Sequence, residues 1–496
     1  MISPQAAPAY PHQSLRAAAL IICALTIARL IGLALSSVDL FADEAQYWSW
    51  SRELAFGYFS KPPMLAWMIA AAGHVCGASE ACVRAPAPLI FLGTSFLAYA
   101  IGRTLYDART GFWAAMLIAL GTGSVFSARI ISTDVPLVLF WALALLAYVR
   151  LLQKIDWRWA MVLGIAIGAG LLAKYAMIYF AAGMLLAAFV DKRARDLLTR
   201  PELGLALALA VVIVSPNIWW NTSNDFLTLR WAGTNVVGND VALSVTRPIE
   251  FLLTQFAVFG PVVFAVAIAS VARLGSKSLL PADRVMLAFA LPPLVLVTVT
   301  AVFVNAYSNW AAASFVSLAV LAAAVLVRRN AAVLLWGSLA LGLGAQILLI
   351  GTDAFASRIN ISFLTPHNPY YRTLGWAAYA HAIGQLARQR GIPTIASDMR
   401  PNVASLLYYW RDQPEQILAW PTDALPNFEV TRSLTAAAPQ PVLFASDCPG
   451  IERFEKFYGK VTFLGEFATE EPARRWFKAF VLEAPRGPIT SLQACP

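Results

Sequence analysis

The sequence predicts an α-helical protein that crosses a membrane many times and carries a small α/β domain at its carboxyl end. Composition, apolar runs and the placement of basic residues lead to this prediction. Of the 496 residues, 59% are hydrophobic and only 13% are charged, whereas a soluble domain carries about 25% charged residues. The formal net charge of +9 does not indicate nucleic-acid binding, because Lys and Arg occur in short clusters between apolar runs.

Apolar runs supply about eleven candidate membrane spans, since crossing the hydrocarbon core takes about 20 residues. Some of these segments are shorter than a full span and meet at charged residues, as is typical of a bundle that opens into a cavity. Residues 1–14 are polar and no small-residue cleavage site follows the next apolar run, so we expect no cleavable signal peptide. The predicted spans are residues 15–37, 85–102, 111–128, 134–150, 159–173, 176–190, 203–219, 249–271, 285–303, 311–327 and 331–350.

Basic residues divide the connecting loops into two alternating sets. The set rich in Lys and Arg is predicted to be cytoplasmic, together with the N-terminus. Residues 38–84, 220–248 and the tail after 351 then face outward, which is the periplasm if this is a bacterial inner-membrane protein. The basic loops contain Arg103 and Arg109; Arg150, Lys154 and Arg158; Lys192, Arg193, Arg195 and Arg200; Arg273, Lys277 and Arg284; and Arg328 and Arg329.

The predicted domains are a transmembrane domain over residues 1–350, which includes the first outer loop, and a soluble outer domain over residues 351–496. In this tail, short apolar runs at 394–396 and 442–445 alternate with helical patterns at 373–390 and 402–410, which favours an α/β fold. No Gly-rich phosphate loop occurs in it, so we predict no nucleotide cofactor.

Cysteines form two pairs in the segments assigned to the outer side. Cys76 and Cys82 share the first outer loop, Cys448 and Cys495 share the tail, and Cys23 lies alone in a span. An oxidising compartment would permit two disulfides, but spacing alone does not show geometry, so both pairs could equally stay reduced. A zinc site is not expected, because neither a CxxC motif nor ligand-like spacing of histidines occurs.

Two adjacent carboxylates, Asp43 and Glu44, follow the first span and are candidate catalytic groups. The alternative is a solvated loop start within an interfacial aromatic belt. Amphipathic stretches follow, and we expect them to lie along the membrane surface. Their aromatic residues are Trp48, Trp50, Tyr58 and Trp67.

Asp134 and Lys174 occupy two other short outer turns. An ionisable group at membrane depth is costly and marks a functional site by default. Asp134 could instead cap the helix that follows it, with Pro136 in the first turn of that helix. Lys174 could bind phosphate or simply extend toward the interface. Arg29, within the first span, is expected to be structural, with Asp134 or Glu44 as its partner.

Taken together, these residues form a set of carboxylates and cations. Asp43, Glu44 and Asp134 supply the acids, and Lys61, Lys174 and Arg247 supply the positive charges. Such a set suits displacement at a phosphate-linked carbon. One carboxylate removes a proton from the attacking hydroxyl, while cations stabilise the charge growing on the leaving phosphate.

Several segments carry a resemblance to a known family, and they span nearly the whole chain. They resemble glycosyltransferase family 39 and its relatives, which include protein O-mannosyltransferases and aminoarabinose lipid A transferases of the membrane glycosyltransferase C (GT-C) superfamily. The segments are Asp43-Glu44-Ala45-Gln46-Tyr47-Trp48, Gly57-Tyr58-Phe59-Ser60-Lys61-Pro62-Pro63, Thr133-Asp134-Val135-Pro136, Lys174-Tyr175, Ser215-Pro216-Asn217, Trp219-Trp220-Asn221, Phe259-Gly260-Pro261, Asn309-Trp310, Ala396-Ser397-Asp398-Met399-Arg400 and Ala404-Ser405-Leu406-Leu407-Tyr408-Tyr409.

The resemblance implies a GT-C fold and an inverting transferase that uses a polyprenyl-phosphate sugar, without a nucleotide sugar. It implies that Asp43 is the catalytic first-loop acid, with Glu44 beside it, and that Asp134 is the second acidic position. Lys61 matches a donor-phosphate contact, and Tyr47 matches an aromatic residue of the same pocket, with Tyr58 nearby. Lys174 and Arg247 are further candidate substrate contacts.

The partners expected are this donor, a lipid, glycan or protein acceptor, and membrane lipids. No cofactor is predicted; a divalent metal is not excluded by the carboxylates, although the resemblance favours metal independence. Two other classes compete with the enzyme. One is a transporter or flippase, which often shows inverted repeats that we do not find. The other is a binding protein that has lost catalysis.

Overall fold

The chain forms two compact units, which are described separately. The computed structural model describes residues 14–237, 243–276, 278–359, 369–422, 425–448, 450–470 and 474–492. The first unit comprises Met1–Ala34, Phe56–Met68 and Arg84–Ile350, and the second comprises Leu35–Ala55, Ile69–Val83 and Gly351–Pro496. Most of the loop that the sequence assigns to the transmembrane domain therefore belongs to the same unit as the tail.

Helices make up nearly all of the structure before the tail. They are α1 (Leu15–Leu35), α2 (Ala42–Ser51), α3 (Met64–Cys76), α4 (Glu80–Arg84), α5 (Pro86–Leu105), α6 (Ala108–Ala119), α7 (Thr122–Ser127), α8 (Asp134–Gln153), α9 (Trp157–Ala173), α10 (Tyr179–Val190), α11 (Lys192–Leu197), α12 (Pro201–Ser223), α13 (Leu227–Val237), α14 (Thr246–Val258), α15 (Pro261–Val271), α16 (Pro281–Ala301), α17 (Ser314–Arg328) and α18 (Ala332–Ala354). Short 3₁₀ turns cover Tyr175–Ile178, Ser308–Ala311 and Ala356–Arg358.

Among the described residues, six helical segments are long and apolar enough to cross a membrane. The prediction of an α-helical polytopic protein is confirmed, while the count of eleven spans stays a prediction. The six are Leu15–Leu35, Glu80–Leu105, Asp134–Gln153, Pro201–Ser223, Pro281–Ala301 and Ala332–Ala354. Shorter apolar helices cover Met64–Cys76, Trp157–Ala173, Tyr175–Val190, Pro261–Val271 and Ser314–Arg328.

Two of the predicted spans are each broken into two helices. Residues 111–128 are divided between α6 and α7, and residues 249–271 between α14 and α15. The second break falls at Gly260, whose φ of +87° suits glycine and is costly for other residues. Pro261 then begins α15, a position where its missing N–H is harmless. Hydropathy alone does not reveal such breaks.

In the described part of the chain, Arg29 binds no carboxylate, so the prediction that Asp134 or Glu44 is its partner is wrong. Its Nε donates to Oε1 of Gln346 at 2.7 Å, and its Nη2 donates to the carbonyl oxygen of Ala119 at 2.6 Å. Arg29 thereby links α1 to α18 and to the end of α6. A carbonyl at a helix end can receive this bond because it has no partner within its own helix.

Pro216 interrupts the backbone hydrogen bonding of α12, and polar side chains close to it bond to other segments. Proline has no N–H, so the carbonyl of Val212 loses its helical donor. The Ser215 hydroxyl donates to that carbonyl at 2.8 Å. Asn217, the residue after Pro216, faces the 3₁₀ turn after α9, where the Tyr175 hydroxyl donates to its Oδ1 at 2.9 Å. Asn221 also donates to the Tyr175 hydroxyl, at 3.1 Å.

The segment Gly57–Lys61 is anchored by α12 and α13. Asn217 Nδ2 donates to the Phe56 carbonyl at 2.6 Å, and the Thr228 hydroxyl donates to the Tyr58 carbonyl at 2.6 Å. Within the segment, the Tyr58 N–H donates to the carbonyl of Lys61 at 3.1 Å. The backbone that carries Lys61 is therefore fixed from both sides.

The second unit contains a five-stranded sheet in the order β2-β1-β3-β5-β4. β1 is parallel to β2 and β3, and β5 is antiparallel to β3 and β4. The small α/β domain predicted for the tail is confirmed. Its elements are α19 (Trp376–Gln389), β1 (Thr394–Ser397), α20 (Arg400–Tyr409), β2 (Gln416–Ala419), α21 (Glu429–Arg432), β3 (Val442–Ser446), α22 (Glu452–Glu455), β4 (Tyr458–Ala468) and β5 (Trp476–Pro485).

Helix α2 of the first loop packs against α20 within this second unit. The ring of Trp48 lies edge-on to Tyr408, with 4.9 Å between centroids, and the Arg411 guanidinium lies 5.6 Å from the Trp48 ring centre. The sequence places Trp48 at the membrane surface, but the structure buries it against the tail. The reason is that a helix of the tail covers its face.

The disulfide between Cys76 and Cys82 is present. Cys23 is a free cysteine in α1. The second pairing considered, Cys448 with Cys495, involves a residue that lies outside the described ranges.

Gly57 is required by a close approach to α12. A Cβ built there would lie 2.4 Å from Cε3 of Trp220, closer than carbon atoms can pack. We expect Gly57→Ala to displace the backbone that carries Lys61 and to lower activity, while Gly73→Ala in α3 is tolerated because nothing lies within 4 Å of its Cβ. Thermal unfolding and turnover of the two purified variants check this; equal behaviour of both would contradict it.

Candidate active site

Asp134 and Lys174 form an ion pair. The Lys174 Nζ lies 2.7 Å from Asp134 Oδ1, and the two side chains are 22% and 9% exposed. Asp134 is the first residue of α8, and Lys174 follows the last residue of α9. Because these helices are consecutive and antiparallel, the start of one meets the end of the other, and the two charges come together.

Asn309 completes the environment of Asp134. Its Nδ2 donates to Asp134 Oδ2 at 2.6 Å, so both carboxylate oxygens accept a hydrogen bond. Thr133 occupies the N-cap position of α8, and both oxygens of Asp134 are bound to other segments, so Asp134 does not cap this helix. Lys174 does not simply extend toward the interface either, since its ammonium group is held by Asp134.

Lys61, Tyr58 and Arg247 belong to the same unit as this pair. Tyr58 is buried, and the segment with Lys61 is linked through Asn217 to Tyr175, the neighbour of Lys174. Arg247 lies in the first turn of α14, and its Nη1 donates to the carbonyl of Phe303 at 3.2 Å. That bond gives Arg247 a structural partner in addition to its predicted role.

Asp43 lies on α2 in the second unit, and its partner comes from the tail. Arg400 Nη1 donates to Asp43 Oδ1 at 2.7 Å, and the two side chains are 31% and 37% exposed. In the described part of the chain, no hydrogen bond to Asp43 Oδ2 is found. This carboxylate is therefore held by one oxygen and open at the other, which is the arrangement that a proton acceptor needs.

Glu44 and Tyr47 lie beside Asp43 on α2 but are buried. Glu44 is 1% exposed, and its Oε2 accepts the N–H of Phe41 at 3.0 Å. This is the local bond by which an acidic residue in the first turn closes a helix start. Tyr47 packs on Trp50, with 5.6 Å between ring centroids. The geometry of Glu44 favours a capping role, and its catalytic role stays a prediction.

The structure thus brings Asp134 and Lys174 into direct contact, and places Asp43, Glu44 and Tyr47 together on one helix of the other unit. Sequence reasoning did not single out Asn309, Asn217 and Arg400 as site residues. Each of them lies within a segment that carries the family resemblance, which is the signal that could have found them. Among the described residues, no group of three or more His, Cys, Asp and Glu side chains is arranged to hold a metal ion.

Comparison with known proteins connects this arrangement to a family. Residues 60–220 match the family model described as dolichyl-phosphate-mannose-protein mannosyltransferase. The lipid A galacturonosyltransferase RgtD of Rhizobium johnstonii is 30% identical over 446 residues, which cover 87% of this chain and 91% of the relative. The lipopolysaccharide core galacturonosyltransferase RgtB of the same organism is 29% identical over 282 residues, covering 53% of this chain and 55% of the relative.

Two solved structures share the fold. The crystal structure of ArnT from Cupriavidus metallidurans bound to undecaprenyl phosphate has a TM-score of 0.66 at 15% identity, and the match covers 94% of this chain and 98% of that chain. The arabinofuranosyltransferase AftD from Mycobacteria has a TM-score of 0.53 at 13% identity, covering 94% of this chain and 40% of that chain. At these identities the likeness shows the fold alone.

The sequence motifs, the 30% identity to RgtD over 87% of the chain and the fold point to the same family. The resemblance seen in the sequence is therefore confirmed. An enzyme, rather than a transporter or an inactive binding protein, is the reading that these relatives support. The chain belongs to the GT-C family of membrane glycosyltransferases.

Proposed function

We propose that the protein transfers galacturonic acid from a polyprenyl phosphate to a lipid A-type acceptor, with inversion at the anomeric carbon. The observation that carries this proposal is the 30% identity, across 87% of the chain, to a lipid A galacturonosyltransferase. Two further relatives are named lipopolysaccharide core galacturonosyltransferases, which supports the same sugar and a role in modifying the cell envelope.

The donor is assigned to the polyprenyl-phosphate class. The ArnT structure with the same fold contains undecaprenyl phosphate, and Lys61 matches the position that contacts the donor phosphate in the aminoarabinose transferases. A lysine is a strong point charge that suits a phosphate oxygen. Its backbone is anchored at Phe56 and Tyr58, which limits how far the ammonium group moves when the donor binds.

The reaction is a single displacement. Asp43 Oδ2 takes the proton of an acceptor hydroxyl, and the hydroxyl oxygen forms a bond to the anomeric carbon from the face opposite the phosphate. The bond from this carbon to the phosphate oxygen breaks, and its electron pair leaves with polyprenyl phosphate. Cationic side chains stabilise the charge that develops on the phosphate. Attack from the opposite face inverts the anomeric configuration.

Asp134 is assigned a different task from Asp43. Both of its oxygens are occupied, by Lys174 and Asn309, whereas Asp43 has one oxygen open. Asp134 therefore fixes the ammonium group of Lys174 within the first unit. Tyr47, Tyr58 and Arg247 are proposed as further substrate contacts, while Glu44 closes the start of α2 beside Asp43.

The protein is a multi-pass membrane protein, and we propose that it lies in a bacterial inner membrane with its N-terminus in the cytoplasm. The tail and the reacting groups then face the periplasm. The alternating basic loops support this orientation. A disulfide between Cys76 and Cys82 supports it as well, since disulfides persist in oxidising compartments.

A reconstituted assay tests the function. The purified protein in liposomes is given galacturonosyl undecaprenyl phosphate with lipid A, with a lipopolysaccharide core oligosaccharide, or with a peptide. We expect the mass of one galacturonosyl residue to be added to lipid A, with inverted anomeric configuration by NMR. Transfer to the core oligosaccharide or peptide alone would reject the proposed acceptor, and transfer with retention would reject the single displacement.

Asp43→Asn should leave the protein folded and abolish transfer, because the amide cannot accept the proton. Loss of general base catalysis lowers turnover about 10²- to 10⁴-fold. Turnover is measured beside Asp412→Asn, a control in the same unit whose side chain is 83% exposed. Near-native turnover of a well-folded Asp43→Asn enzyme would remove Asp43 as the base.

Lys61→Ala should weaken donor binding through the phosphate. A charged hydrogen bond contributes about 1.5–3 kcal/mol, so the KM for the donor should rise about 10-fold or more. Lys460→Ala is the control, since Lys460 lies on β4 and pairs with Glu483. A titration with lipid-phosphate sugar that finds equal donor affinity in Lys61→Ala and the parent protein would exclude this role.

A further inference from the structure

The stability of helix α20 does not explain why an arginine, Arg400, lies at its start. It is the first residue of α20, a helix of 10 residues with no side-chain cap. The N-terminus of a helix carries partial positive charge and favours acidic residues, so a cation there is unfavourable. Arg400 is nevertheless directed at Asp43, a partner far away in sequence. This contact offsets the cost of the charge at the helix start.

The guanidinium uses only one of its three nitrogens for this contact. Nη1 donates both to Asp43 Oδ1, at 2.7 Å, and to Oε1 of Gln46. Within the described ranges, Nε and Nη2 have no hydrogen-bond partner, and the side chain is 31% exposed. These two nitrogens form the side of the guanidinium that binds a carboxylate or phosphate through two parallel hydrogen bonds.

Contacts other than that of Arg400 also attach α2 to the tail. Trp48 packs on Tyr408 and beneath Arg411, and Arg432 forms a separate ion pair with Glu53. The Arg432 pair also links the first loop to the tail, but it does not touch Asp43. It therefore provides a matched control for a purely structural ion pair.

We propose that Arg400 couples Asp43 to an anionic group of a substrate: Nη1 positions the base, and Nε with Nη2 binds a pair of anionic oxygens. The inference rests on the proposed function, since it takes Asp43 as the base. Those oxygens belong to the carboxylate of the galacturonosyl donor or to a phosphate of the lipid acceptor. A substrate whose anion binds Arg400 is thereby placed beside the open oxygen of Asp43.

Arg400 acts as a positioning residue for catalysis and as a binding residue for the anion. Its loss should therefore change two kinetic constants. Arg400→Gln should lower kcat, because Asp43 is no longer held, and raise one KM, because the anion loses its partner. From the strength of charged hydrogen bonds, we expect kcat/KM to fall about 10- to 100-fold. Arg400→Lys keeps the charge but lacks the two-nitrogen edge, so it should recover only part of the loss.

The test compares the parent protein, Arg400→Gln, Arg400→Lys and Arg432→Gln as full-length proteins in liposomes. We expect Arg432→Gln to stay within about 2-fold of the parent, as is usual for an exposed ion pair. Equal losses in Arg400→Gln and Arg432→Gln would reduce Arg400 to a structural link and overturn the proposal. If Arg400→Gln does not fold, Arg400→Lys carries the same comparison.

Binding titrations identify the anion independently of turnover. Kd is measured for galacturonosyl and galactosyl undecaprenyl phosphate, and for lipid A and dephosphorylated lipid A. In one of the two pairs, the ligand without the anionic group should bind the parent protein more weakly than its anionic counterpart. Arg400→Gln should bind the two ligands of that pair with equal affinity. A difference confined to the donor pair assigns the sugar carboxylate, and one confined to the acceptor pair assigns the lipid phosphate. No difference in either pair would overturn the proposal.

Asp43→Asn in the same liposomes separates this inference from the function on which it rests. If Asp43→Asn is inactive while Arg400→Gln matches the parent in kcat, KM and Kd, the inference fails and the function stands. If Asp43→Asn retains turnover, the base is another group, and both the role of Asp43 and the coupling through Arg400 are rejected.

Discussion

The ion pair between Asp134 and Lys174 is the contact on which the transmembrane unit depends. A charge in a low-dielectric bundle is costly unless it is paired, and breaking such a pair leaves the other charge uncompensated. The pair joins the start of α8 to the end of α9, and Asn309 brings in the segment before α17. From the next residue, Tyr175, hydrogen bonds reach Asn217 on α12 and then the backbone before Lys61. One charge pair thereby lies in a network that also fixes the backbone before Lys61.

The second unit solves a different problem, which is how to hold the short helix that carries Asp43. Helix α2 has 10 residues, and an isolated helix shorter than about 12–15 residues is marginal in water. Packing of Trp48 on Tyr408 and the bond from Arg400 to Asp43 supply what the local sequence lacks. The tail therefore fixes the orientation of the Asp43 carboxylate.

Sequence and structure agree where a feature depends on local chemistry. The apolar runs predict the helices because each one satisfies its own backbone within the bilayer, and the alternation of strands and helices predicts the α/β tail. They disagree where the surroundings of a side chain depend on a partner that is distant in the sequence. Arg29 binds Gln346 and a carbonyl, whereas charge alone suggests a carboxylate. Trp48 is covered by α20, whereas its amphipathic surroundings suggest the membrane surface.

The sequence by itself determined the class of protein, the family and the residue types of the site, because composition and motif spacing are local properties of the chain. Asp43, Asp134 and Lys61 could all be named from it. Only the tertiary structure decided how these groups differ: Asp134 has both oxygens occupied, while Asp43 has one held by Arg400 and one open. The physical reason is that the partners Asn309 and Arg400 are 175 and 357 residues away along the chain, so only the packing of helix ends brings them to the carboxylates.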